Sequence, residues 1–110
     1  REYMLNLPLY DGIVSLEIGV DSLSSIGMPR VELPVCKDKI IMYGTSILQG
    51  ACASRPGMAH TNIISRKMNR EVINLGFSGN AFLDLEIASL MAQLDAGIFI
   101  LDFYRFDLTD

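Results

Sequence analysis

The stretch Lys39-Ile40-Ile41-Met42-Tyr43-Gly44-Thr45-Ser46-Ile47-Leu48-Gln49-Gly50 decides how the rest of the chain is read. It opens with a short apolar run, Lys39–Tyr43, that ends at Gly44 and reads as a buried strand. A small residue, a hydroxyl-bearing pair and a second glycine then follow within one turn. That order lets Ser46 stand exposed where the chain leaves the strand. Ser is also common at turns and helix N-caps, so a purely local role for Ser46 is the alternative.

Downstream the pattern alternates. Gly57–Met68 is predicted to be a helix, with Pro56 in its first turn and Ile64 and Met68 on one face. Val72–Leu75 is a second apolar run. Asp84–Leu94 is the strongest helix signal, with Leu83, Ile87, Leu90, Met91 and Leu94 sharing a face at helical spacing. Gly97–Asp102 reads as a third buried strand. Strands alternating with helices imply a parallel sheet with right-handed crossovers, the doubly wound α/β class. In such sheets ligands sit at the carboxyl ends of strands. The second of these ends is Asn74-Leu75-Gly76-Phe77-Ser78-Gly79-Asn80, whose two glycines allow close backbone approach and expose N–H groups. Adjacent parallel strands would bring this loop beside Ser46.

Upstream the texture differs. Tyr3–Leu7 and Ile13–Val20 read as strands around a turn at Tyr10-Asp11-Gly12. Val14, Leu16, Ile18 and Val20 fall on one face of the second, as in a half-buried antiparallel strand. Asp21–Arg30 reads as a connector, and Pro29 and Pro34 bracket a short extended piece. Residues 1–34 are therefore expected to be the end of a β-rich domain, and residues 35–110 part of an α/β domain.

Bulk properties narrow the classes of partner. Half of the 110 residues are hydrophobic and 20% are charged, as in a globular chain. The net charge of −4 and the scattered basic residues argue against nucleic acid, which needs clustered Lys and Arg. No apolar stretch approaches the roughly 20 residues of a membrane-spanning helix. Cys36 and Cys52 flank the first predicted strand, roughly 20 Å apart at about 3.3 Å per residue, and are expected to be free thiols. No metal-ligand spacing is present, and no cofactor is expected. The sequence starts at Arg1 without an initiator Met or signal peptide and ends on a polar tail, which suggests a piece of a longer polypeptide.

The two strand-end blocks resemble those of the SGNH/GDSL hydrolases. The family's Gly-Asp-Ser-Leu block stands here as Gly44-Thr45-Ser46-Ile47, with Thr45 in place of Asp, and its oxyanion block maps onto Asn74–Asn80. The string Tyr43–Gly57 is similar to a bacterial subgroup whose hydrolase domain follows a β-rich N-terminal domain. The resemblance covers roughly Lys39–Asp102. It implies a flavodoxin-like three-layer parallel sheet, present in part, preceded by a short β-rich segment. It also implies a serine-dependent esterase acting on small-molecule or carbohydrate acyl or acetyl esters, and tilts the compartment towards secreted or periplasmic. By the same resemblance Ser46 is the nucleophile and Gly79 an oxyanion-hole donor. Asn80 and Thr45 are weaker candidates for substrate contact.

The chain departs from the family pattern after Asp102. The third block should carry an Asn, and Phe106 stands near its place; the closing Asp-x-x-His block is absent. His60, the single histidine, falls at the start of the first long helix and reads as a helix-surface or half-buried residue. Asn74 reads as a turn former, Arg55 as a loop-surface residue, and Asp102 as the one acid near the site. Two other readings therefore stand beside the esterase: a truncated or degenerate, non-catalytic interaction module, and a flavodoxin-like anion-binding module using the Gly44–Gly50 turn. A sheet stopping at its third strand would leave apolar faces open, so a homo-oligomer is expected.

Overall fold

Ile40, Ile41, Met42 and Tyr43 are all buried, and they alternate between two cores. Ile40 and Met42 join Leu48, with Ile64 and Val72 packed against them. Ile41 and Tyr43 join Met91, with Ile73, Leu75, Leu83 and Ile87 around them. Successive strand side chains point to opposite faces, so a strand covered on both sides is apolar at every position. These residues form the middle of β1 (Val35–Gly44) in a computed structural model that describes residues 1–30 and 35–102.

β1 lies between β2 (Arg70–Gly76) and β3 (Ala96–Asp102), and both pairings are parallel. The register sets Gly44 opposite Gly76 on one side and opposite Asp102 on the other. The helices α1 (Ser46–Gln49) and α2 (His60–Met68) belong to the face of Leu48 and Ile64, and α3 (Leu85–Met91) to the face of Met91. The result is a three-layer, doubly wound α/β arrangement with strand order 2-1-3, as the sequence pattern predicts.

Several boundaries differ from the expectation. The predicted Gly57–Met68 helix is split: Pro56–Met58 makes a 3-10 turn, and Ala59 is extended before α2 begins. Ala59 is buried, and its carbonyl accepts from Ile63 N–H, so it starts a new helix and does not continue the old one. α3 is shorter than the predicted Asp84–Leu94. Its end tightens into three-residue bonds, from Gln93 N–H to Leu90 and from Leu94 N–H to Met91. Of the predicted apolar face, Leu83, Ile87 and Met91 reach the core, whereas Leu90 and Leu94 are exposed. The latter two form a second ridge, three residues round from Ile87 and Met91, that no described element covers.

β3 is a strand as predicted, but it is not buried. Ile98, Phe99, Ile100 and Leu101 are each exposed, because β3 is a sheet edge covered by only part of one layer. The strands predicted at Tyr3–Leu7 and Ile13–Val20 do not form among the described residues. Extended backbone becomes a strand only when its N–H and C=O groups find a ladder partner, and this segment meets none among the described residues. It is held instead by isolated bonds, such as Arg30 N–H to Glu2 Oε1 and Leu23 N–H to Asp21 Oδ1. The expectations at Pro34, at the side chain of Cys36 and at Phe106 lie outside the described residues. Cys52 is a free, exposed thiol.

Candidate active site

α1 is a single turn seated directly on the ends of β1 and β2, and two glycines make that possible. A Cβ on Gly76 would overlap the N and Cα atoms of Gln49. A Cβ on Gly44 would overlap the Asp102 carbonyl oxygen and lie 2.9 Å from Leu48 Cβ. Gly50 ends the turn at φ 113°, a left-handed conformation that favours glycine, and its N–H reaches back to the Ser46 and Ile47 carbonyls.

Asn74 fixes this seat from below. Its Nδ2 donates to the carbonyls of Leu48 and Gln49 at 3.2 Å each and to Thr61 Oγ1 at 3.1 Å. Its Oδ1 accepts from Gly76 N–H at 2.9 Å. Two amide protons thus serve three acceptors. The carbonyls left open at the end of a one-turn helix are in this way satisfied by a side chain from the neighbouring strand. Asn74 is accordingly a structural hub within β2, and not the turn-forming residue that the sequence suggests.

Ser46 is the first residue of α1. The N-cap position is held by Thr45, in extended conformation and without a side-chain capping bond. The local alternative, Ser46 as N-cap, is therefore not what the structure contains. Ser46 is half-buried, and no described residue hydrogen-bonds its hydroxyl. Its carbonyl is engaged by Ala51 N–H at 2.9 Å and by the Tyr10 hydroxyl at 2.8 Å. The side chain and the backbone N–H are left unpartnered among the described residues.

The loop after β2 lies next to this turn. Phe77 N–H donates to the Gly44 carbonyl at 2.8 Å, joining the two strand ends. Following the N–H groups along the loop singles out one residue. Gly76 donates to Asn74, Phe77 to Gly44, Ser78 to Gln49 Oε1 and Asn80 to Phe77. The N–H of Gly79 has no partner among the described residues. Gly79 is exposed at φ 72°, with open space where a Cβ would stand. Parallel pairing thus brings the Ser46 and Gly79 loops together as the sequence predicts.

The remaining candidates separate. Asn80 is exposed and its Nδ2 bonds locally to the Ser78 carbonyl at 3.3 Å. Asp102 sits at the carboxyl end of β3 beside Gly44. His60 opens α2, exposed and with its side chain without a hydrogen-bond partner among the described residues. Arg55 is exposed on the loop before the 3-10 turn. Among the described residues no group of His, Cys, Asp and Glu could hold a metal ion, and no helix is long and apolar enough to cross a membrane. An open apolar groove of about 280 Å³ lies between α3 and β3, lined by Tyr43, Leu83, Ile87, Met91, Phe99 and Leu101.

Two participants escaped the sequence reading. Gln49 donates from Nε2 to the Leu9 carbonyl at 2.8 Å and accepts at Oε1 from Ser78 N–H at 2.9 Å. Tyr10, read only as a turn residue, reaches Ser46 across 36 positions of chain. A polar amide directly after the apolar pair Ile47-Leu48 was the one available signal for Gln49.

A serine on the turn after the central parallel strand, beside a glycine-containing turn from the next strand, defines an α/β domain built around a Gly-x-Ser turn. Residues 37–105 match the GDSL-like Lipase/Acylhydrolase family, and the chain belongs to that family. It is similar to a crystal structure of a protein from Bacteroides ovatus ATCC 8483 designated a GDSL-like lipase, with 52% identity and a TM-score of 0.77. That likeness covers 89% of this chain but 28% of the other, so the chain spans little more than a quarter of that protein's length. No curated protein matches it.

Proposed function

We propose that the protein is a carboxylic ester hydrolase with Ser46 as its nucleophile. The observation that carries this reading is the pairing of an unengaged hydroxyl with an unengaged N–H on adjoining strand-end loops, at Ser46 and Gly79. Every other N–H from Gly76 to Asn80 is committed to holding the loop. In turnover Ser46 Oγ bonds to the ester carbonyl carbon as a general base takes its proton. The carbonyl oxygen, now negative, is held by the N–H groups of Ser46 and Gly79. Collapse expels the alcohol, which takes the proton from the base, and water then releases the acid from the acyl-serine.

In this reading the base is a histidine from outside these 110 residues, whose single histidine, His60, is exposed at the head of α2. The substrates are acyl or acetyl esters, including those carried on carbohydrate. Residues 1–34 belong to the end of a β-rich domain, and residues 35–110 to the N-terminal half of the hydrolase domain. The family match, which begins at residue 37, supports starting the hydrolase part near residue 35. A fluorophosphonate probe tests the nucleophile: full-length protein should become labelled on a peptide containing Ser46. Labelling confined to another serine would overturn the assignment.

A further inference from the structure

Gln49 is the side chain that ties together three pieces of chain that are remote in sequence. Its backbone ends α1, its Nε2 donates to the Leu9 carbonyl at 2.8 Å, and its Oε1 accepts from Ser78 N–H at 2.9 Å. The two partners fix the sense of the amide. A carbonyl can only accept and an N–H can only donate, so the group cannot flip without losing both bonds. The turn Phe77–Asn80 is held by Phe77 N–H to Gly44, by the Phe77 ring against Tyr43, by Asn80 N–H to Phe77 and Asn80 Nδ2 to the Ser78 carbonyl, and by Ser78 N–H to Gln49. The two Asn80 bonds are internal to the turn, and the two Phe77 contacts lie at its base. Gln49 is therefore the attachment from outside the turn that holds the Phe77–Ser78 peptide, one residue before the peptide that carries the Gly79 N–H, and it ties that peptide to α1, which carries Ser46.

The geometry points to Gln49 as a positioning residue that orients the Gly79 N–H toward the reacting carbonyl oxygen and couples that orientation to the segment at Leu9. This rests on the reading of Ser46 and Gly79 given above. Gln49 touches no reacting atom; it acts through Ser78. Leu9 is also packed on the same turn, since a Cβ on Gly50 would lie 2.7 Å from Leu9 Cδ1. The segment before β1 is thus a support of the oxyanion loop, with Gln49 as the contact that transmits it. A donor misplaced by a fraction of an ångström loses most of its value where charge develops, while ground-state binding changes little.

The test uses full-length wild type, Gln49→Met and Ser46→Ala. Met keeps the chain length and close to the volume of Gln while removing both hydrogen bonds. Gln49→Met is expected to lower kcat by about 10- to 100-fold with KM within about threefold, short of or equal to the loss of a whole oxyanion donor. Affinity for an alkyl boronic acid, which forms a tetrahedral adduct on a nucleophilic serine, should fall by a similar factor. Unchanged kcat and unchanged boronate affinity in folded Gln49→Met overturn the proposal. Hydrogen exchange on the wild type gives a second reading that needs no variant. Slow exchange at Ser78 beside fast exchange at Gly79 is expected, and equally fast exchange at both overturns it. Hydrolysis surviving in Ser46→Ala instead overturns the underlying reading of the site.

Discussion

Gly76 lies against the backbone of Gln49 with no room between them for a Cβ. The end of β2 and the one-turn helix α1 are therefore in backbone-to-backbone contact, and α1 can sit low over the sheet. Gly76→Ala must push α1 away from the strand. An overpacked contact costs about 1–3 kcal/mol, and here the obstructing atoms are main chain, which cannot rotate aside. Urea unfolding should show a loss in that range, together with lowered ester turnover.

Asn74 carries the polar side of the same contact. Its four bonds satisfy two α1 carbonyls, Thr61 Oγ1 and Gly76 N–H. Asn74→Ala leaves these groups partly buried without partners and should cost about 2–4 kcal/mol. Asn74→Asp keeps the acceptor for Gly76 but replaces two donors with an oxygen facing carbonyls. It should not restore stability, and a melting temperature close to wild type in Asn74→Asp would contradict this account of the residue.

Gly79 behaves differently, because space is available there and backbone conformation is the constraint. Its φ of 72° is left-handed, yet no neighbouring atom stands within 4 Å of the place a Cβ would occupy. Gly79→Ala should therefore fold, at a cost of roughly 1–2 kcal/mol for holding an L-residue in that region. Thermal melting distinguishes it from Gly76→Ala, where steric overlap adds to the loss.

The exposed edge strand β3 presents Ile98, Phe99, Ile100 and Leu101 beside the groove over Tyr43 and Met91. Unpaired apolar edges recruit further strands. The 110-residue chain should accordingly sediment as a dimer or larger species, and Ile100→Lys should shift it towards monomer. A monomeric wild-type chain would refute that expectation.

The legible part of the fold was the part where burial imposes a pattern on consecutive residues. Ile40–Tyr43 is apolar at every position because both faces are covered, and that alone marks a central strand. The pairing of the Ser46 and Gly79 loops followed from parallel topology. Alternation in Ile13–Val20 suggested a strand, but alternation describes a side-chain pattern and cannot supply a ladder partner. The single turn α1 is too short to show a period. Gln49 and Asn74 were opaque for another reason: the bonds from Gln49 to Leu9 and Ser78 and from Asn74 to α1 span 25 to 40 residues, and hydrogen-bond partners at that separation leave no local trace.

The central claim, that Ser46 is a nucleophile, is tested most directly by hydrolysis of a chromogenic acetate ester by full-length wild type and Ser46→Ala. Ser46 Oγ bonds to no described residue, so the variant should keep wild-type stability within about 0.5 kcal/mol. Its kcat should fall by several orders of magnitude, as when the nucleophile of a serine hydrolase is removed. A folded Ser46→Ala protein that hydrolyses the ester at the wild-type rate would contradict the account.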